Sequence, residues 1–244
     1  MMDDRTIAVA TSTVQFSTGF RIDMDRLGGV CHEKGIHLFV DGIQSAGRLE
    51  IDVKKQHIDY LACGGNKGLL GTLGAGFIYC SKEIVEQVIP PYASYQSAVN
   101  HVKPPAVTTD FSRIEWKNDA RRLESGNLNY AGIAAIKAGV SLINELGIEN
   151  IESHVMALDK RLRDGIKGIR LNVVTPPEPI NYSGIVCVFY PNAHEGQVIE
   201  ILHRHKIYTT MRGGYIRMAM HAYNTEHDID EAIAALWKIE KLGE

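Results

Sequence analysis

Cysteine is scarce in this chain: four residues in 244, and no two of them spaced as a CxxC pair. Cys31, Cys63, Cys80 and Cys187 are scattered, and three sit inside apolar runs, so neither a structural zinc site nor a disulfide framework has support. Reduced thiols in a cytoplasmic protein, with no resident metal, are the expectation. An excess of one charge is also missing, since 26 basic side chains stand against 29 acidic ones for a formal net charge of -3. That balance speaks against a nucleic-acid-binding surface. No apolar run is long enough to cross a bilayer, and Met1-Met2-Asp3-Asp4-Arg5 lacks the apolar core of a signal peptide. No GxGxxG follows a strand and there is no P-loop, which sets aside a nucleotide-binding α/β domain. Internal repeats and low-complexity tracts are absent as well.

What is present is an ordinary globular composition, 45% hydrophobic and 23% charged, in a chain long enough for one large domain or two modest ones. Ile7 to Thr11 reads as a short buried strand, Met24 to Lys34 as a helix stopped by Gly35, and His37 to Asp41 as a second strand. This β-α-β order predicts a parallel sheet with crossover connections. Ile51 to Gln56 leads into two more strands, Ile58 to Cys63 and Ala75 to Tyr79. Ser81, with acid in the turn that follows, predicts the start of a helix. Pro90 to Trp116 shows no period and is expected to form a long ordered loop, of the kind that crosses to an active site or a partner subunit.

Ala131 to Leu146 repeats apolar residues at helical spacing, which predicts a helix joining two domains. Then come helix Ile148 to Gly168, strands near Leu171 to Val174 and Ile185 to Tyr190, and helix Glu195 to His205. Strands near Ile207 to Thr210 and Tyr215 to Met220 precede a last helix capped at Thr225, enough for a small α+β domain. The expected division is 1–130, a connecting helix 131–147, and a small domain 148–244.

One residue concentrates the chemistry. Lys67 lies between two strands in a turn containing Gly64, Gly65, Gly68 and Gly71, while Asp41 ends the upstream strand with Gln44 three residues on. An aldehyde cofactor needs such a pair. The amine forms a Schiff base, and the carboxylate keeps a pyridine nitrogen protonated so that the ring withdraws electrons. A surface lysine is the ordinary alternative, and the glycine setting argues against it.

Five segments, in order, carry a likeness to a known family. They are Val14 to Asp23; Val40 to Gly47, similar to an Asp-x-x-Gln-x-x-Gly motif; and Gly65 to Gly71 followed by Gly74 to Phe77, similar to a cofactor-lysine loop. The remaining two are Ala120 to Asn129, similar to an Arg-x-x-x-Gly-Thr-x-Asn region, and Ile216 to Ala219 with His221 and Tyr223 to Thr225, similar to an Arg-x-Ser…Tyr-Asn-Thr ending. Together they resemble the class V aminotransferases, fold-type I pyridoxal-phosphate enzymes, over essentially the whole chain.

The resemblance implies an α/β fold: residues 1–130 as a partial cofactor-binding large domain with a mainly parallel sheet, and an α+β small domain at the C-terminus. The cofactor it implies is pyridoxal 5′-phosphate, and the partners are an amino acid and a keto acid. A homodimer with a shared active site is implied too. Lys67 would carry the Schiff base and then move the α-proton. Asp41 would pair with the pyridinium nitrogen and Gln44 with the phenolic oxygen. Arg217 would grip the substrate carboxylate with its two-pronged guanidinium, with Arg212 as a second candidate. Asn66 and Asn127 would reach the phosphate, and Arg122 and Glu124 are read as structural.

The departures are specific. Asn127 stands where the family has threonine, Asn66 where many members have histidine, Gly64 where many have serine, and Thr72 where proline is usual. Family members also carry a substantial region upstream of the point matched by this chain's start. It holds the helix N-terminus that cradles the phosphate and the aromatic ring stacked on the pyridine. Without it, a sheet edge and an apolar face are expected to need cover. Transamination is the expected reaction, with elimination or racemisation as relatives of it; the alternative is a truncated, non-catalytic fragment serving at most in dimerisation or interaction. Cysteine desulfuration is disfavoured, because the family places the required cysteine on a loop between two C-terminal arginine motifs. Met211 to Arg217 is short and holds none.

Overall fold

A computed structural model describes residues 2–99, 114–191 and 195–242. Their contacts divide them into two compact units that interleave along the chain. The first comprises Met1–Thr11, Asp25–Ile43 and Asp52–Gly139; the second comprises Ser12–Met24, Gln44–Ile51 and Val140–Glu244.

The first unit is built on strands β1 (Ala8–Ser12), β2 (His37–Asp41), β3 (Tyr60–Gly64) and β4 (Gly76–Cys80), adjacent in that order. Helix α1 (Met24–Glu33) links β1 to β2, as the β-α-β reading predicts. It ends in a hydrogen bond from Ile36 N to the Cys31 carbonyl, 2.9 Å, which satisfies one carbonyl of its last turn. β2 and β3 run parallel, with Asp41 beside Ala62, whereas β3 and β4 form an antiparallel pair. The sheet is therefore mixed. Alternation sorts the side chains: Leu38, Val40 and Leu61 are buried, while Phe39 and Asp41 are exposed on the opposite face.

Ser81 does not begin an α-helix. Only a single 3-10 turn, Val85–Gln87, forms there. Pro90 and Pro91 follow within a few residues, and a proline both lacks an N–H and pushes the residue before it out of helical conformation. Of the expected long loop, residues 100–113 lie outside the described residues. Its ends meet in an antiparallel bridge between Ala98 and Trp116.

Helix α2 (Tyr130–Leu146) forms where the helical spacing predicts one, and its residues are divided between the two units at Gly139 and Val140. Asn129 caps it, its Oδ1 accepting from Gly132 N at 2.9 Å. Helix α3 (Ile148–Gly165) follows, burying Ile151, Val155, Leu158 and Leu162 at helical spacing. Then come β5 (Asn172–Val173), β6 (Ile185–Phe189), α4 (Glu195–Arg204), β7 (Thr210–Arg212), β8 (Tyr215–Ala219) and α5 (Glu226–Leu242). The second sheet is antiparallel in the order β5-β6-β8-β7.

Val186, Val188, Ile216 and Met218 share a core with Leu158 and Leu162 of α3, Leu202 of α4 and Leu236 of α5. Alternation leaves Cys187 and Arg217, which are register partners, on the other face. α5 starts in a reciprocal cap, in which Asp228 N donates to Thr225 Oγ1 (3.2 Å) and Thr225 N donates to the Asp228 carboxylate (2.8 Å). β7 begins at Thr210, later than the sequence predicts. Ile207 is taken up in ending α4: its N–H reaches the Leu202 carbonyl at 2.9 Å, and Lys206 adopts a left-handed φ of 59°.

Candidate active site

In the first unit, Lys67 sits on a closed loop between β3 and β4. Gly65 N donates to the Ala75 carbonyl, Gly71 N to the Gly65 carbonyl, both at 2.8 Å, and Leu70 N to the Lys67 carbonyl at 2.9 Å. Helix α2 clamps this loop from behind. The close approach requires glycine at position 139, since a Cβ there would come within 2.0 Å of the Leu69 carbonyl oxygen. Asn129 adds a tie from the helix start, donating to the Gly74 carbonyl at 3.2 Å. The Lys67 residue itself is exposed.

Asp41 ends β2, and its Oδ1 accepts from Ile43 N at 2.9 Å. It lines a cavity of about 710 Å³ together with Ala62, Gly64, Phe77, Leu123 and Ile133. Cys63 reports on both charges. Burial first, and the Asp41 carboxylate second, push its thiol up to about 11 against the opposing charge of Lys67. Asp41 stands beside Ala62 of the parallel strand β3, the strand that leads into the Lys67 loop. Asn66 and Asn127 are exposed; the Asn127 Oδ1 accepts from the Tyr95 hydroxyl, which leaves its amide N–H groups as the donors on offer.

The second unit holds Gln44, Arg212 and Arg217. Gln44 is buried, and its Oε1 accepts from Arg217 Nη2 at 3.2 Å. That bond orients the amide so that its N–H groups remain to donate. Among the described residues, the buried Arg217 Nε has no hydrogen-bond partner. Burial lowers the Arg217 pKa first, the Cys187 thiol opposes this, and the charge of Arg212 lowers it further. A half-buried guanidinium that keeps an unused donor is matched by a carboxylate.

Sequence reasoning missed Arg48. It is buried, and it donates to the Gln44 carbonyl (3.0 and 3.2 Å), the Ser183 carbonyl (2.9 Å) and the Met220 carbonyl (2.7 Å). Its pKa falls to about 10, through burial first and the Arg217 charge second. Its only sequence signal is a basic residue inside the otherwise apolar stretch Ala46 to Leu49. Arg48→Met would leave three carbonyls without this donor, and we expect it to destabilise the protein by about 3 kcal/mol. Denaturant unfolding checks this, and a loss below about 1 kcal/mol would mean that water replaces the guanidinium.

The hairpin carrying Arg212 and Arg217 is tight. Gly213 and Gly214 make the turn with φ of 58° and 84°, a pair of values only glycine adopts readily. No cysteine lies between Thr210 and Ala219. Cys31, Cys63 and Cys187 are buried and Cys80 is half-buried, and burial is the first cause raising each thiol.

Folded in this way, the chain has the architecture of a fold-type I pyridoxal-phosphate transferase, as the resemblance implies. It belongs to the class V aminotransferase family: the family description "Aminotransferase class-V" matches residues 1–232. A probable cysteine desulfurase of Pyrococcus abyssi is 27% identical over 96% of this chain and 59% of its own length. An uncharacterized aminotransferase, YcbU of Bacillus subtilis, is 28% identical over 95% of this chain and 59% of its own. Among solved structures, the apo cysteine desulfurase of Thermococcus onnurineus NA1 aligns with a TM-score of 0.86 at 25% identity, covering 96% of this chain and 60% of that one. The chain thus spans about 60% of the length of the relatives it matches. The family's cofactor is pyridoxal 5′-phosphate. Of the residues singled out from the sequence, Asp41, Asn66, Lys67 and Asn127 lie in the first unit, and Gln44, Arg212 and Arg217 in the second.

Proposed function

We propose that this chain carries the lysine-bearing and carboxylate-binding parts of a pyridoxal-phosphate enzyme acting on an amino acid, with amino-group transfer as its reaction. One observation carries the reading: Asp41 ends β2 in register with Ala62 of the parallel strand β3, and the end of β3 leads directly into the Lys67 loop. The residues fit the group chemically. An amine, a carboxylate beside a cavity and a guanidinium with an unused buried donor are the functions the cofactor and its substrate require. When bound, pyridoxal phosphate supplies a ring that draws off the negative charge developing at the substrate α-carbon.

Lys67 would anchor the cofactor through its Nζ and afterwards take and return the α-proton. Asp41 would hold the proton on the ring nitrogen. The Gln44 amide would donate to the phenolic oxygen, Asn66 and Asn127 would offer amide donors to the phosphate, and Arg217 would hold the substrate carboxylate. Elimination and racemisation begin with the same proton removal. Family membership supports a homodimer with a shared active site as part of this reading, and four unpaired thiols suit a cytoplasmic setting.

The relatives' names raise desulfuration as a second reading, which the thiols oppose. A sulfur acceptor must be an exposed thiolate, and each of these thiols is raised by burial. Incubation with the cofactor, an amino donor and a keto acid should yield a new amino acid and a new keto acid in equal amounts. With L-cysteine, mass spectrometry should find no persulfide on the protein; a persulfide on any of the four cysteines would replace transfer with desulfuration.

A further inference from the structure

Arg212 and Arg217 share one face of the β7–β8 hairpin. Their register sets Thr210 opposite Arg217 and Arg212 opposite Tyr215, so the two arginines are diagonal neighbours. Diagonal neighbours across a strand pair sit ~7–8 Å apart, within reach of one small ligand for side chains of this length. The two-glycine turn pins this register. Ile216 and Met218 point the other way, into the helix-packed core. Among the described residues, neither arginine is hydrogen-bonded to a carboxylate, and Arg217 keeps its buried Nε unused. Arg48 contributes a third positive charge to the same unit, and its hydrogen bonds all go to carbonyls. The Arg217 pKa is lowered by burial first, and the charge of Arg212 lowers it further. Two arginines side by side on one face, with no acid bonded to either among the described residues, are matched by more than one negative charge.

We propose that the substrate is an amino acid with an acidic side chain, of aspartate or glutamate length. Arg217, half-buried, holds the α-carboxylate, and Arg212, exposed at the hairpin tip, holds the side-chain carboxylate. This rests on the role given to Arg217 above and extends it to substrate choice.

The test is an NMR titration of the full chain with succinate and with butyrate, which share a length and differ by one carboxylate. The signals followed are the Nε–Hε groups of Arg212 and Arg217. Succinate should bind about tenfold more tightly than butyrate and move both signals. Arg212→Gln, an exposed substitution, should bring the ratio of the two affinities close to one. If butyrate moves the Arg217 signal and succinate binds no more tightly, the acidic substrate is refuted while the role of Arg217 stands. If neither ligand moves the Arg217 signal, both readings fail. Sulfate acting as strongly as succinate at equal ionic strength would reduce the face to a general anion site and refute the proposal.

Discussion

Alanine in place of Lys67 should lower turnover by about a thousandfold or more, because proton transfer by a positioned side chain contributes roughly 10²–10⁴-fold and the cofactor loses its covalent anchor as well. The fold should not suffer, since Lys67 is exposed and its loop is held by backbone bonds and by α2. Unchanged circular dichroism and an unchanged melting transition would confirm that the loss is chemical. Lys67→Arg should fare no better: it keeps the positive charge, but a guanidinium does not give up its proton at neutral pH. Retention of more than about a tenth of the wild-type rate by Lys67→Arg, set against the contribution expected of a proton-transferring amine, would show that the charge rather than the amine matters.

Arg217→Gln should act on binding. The fork that holds a carboxylate is replaced by a neutral amide, and the lost charge-assisted bonds should raise KM by about 100-fold. The effect on kcat should be smaller, because the carboxylate is held equally in the ground state and the transition state. Stability should change little, in contrast to Arg48→Met, because among the described residues the Arg217 side chain donates one hydrogen bond, at 3.2 Å, and its Nε has no partner. A KM within threefold of wild type, too small for a lost charge-assisted fork, would transfer the carboxylate to another group. Arg212 would be the first to examine.

The local signals in the sequence translated well into structure. The apolar runs that become β2 and β3, the helix that becomes α1 and the Thr225–Asp228 cap each depend on neighbours a few residues apart, so periodicity and capping rules reach them. The Lys67 loop was legible for a similar reason, because its glycines are clustered in sequence. Arg48 was not. Its acceptors Ser183 and Met220 lie 135 and 172 residues away, and any residue type could supply those carbonyls.

The interleaving of the two units was hidden in the same way. Ser12–Met24 and Gln44–Ile51 join the second unit through backbone acceptors, such as the Gly19 carbonyl that takes the Ser183 hydroxyl at 2.7 Å. Ser81 and Ile207 show the limit of local rules from the other side. One was undone by prolines downstream, the other by the ending of a helix upstream.

The measurement that bears most directly on this account is cofactor attachment. The full chain is mixed with pyridoxal phosphate, a visible absorbance band is sought, the mixture is reduced with borohydride, and the peptides are mapped by mass. A band, a pyridoxyl group on the peptide that contains Lys67, and loss of both in Lys67→Ala are the expected results. Label spread over exposed lysines, label at a different single lysine, or no band at saturating cofactor would contradict it.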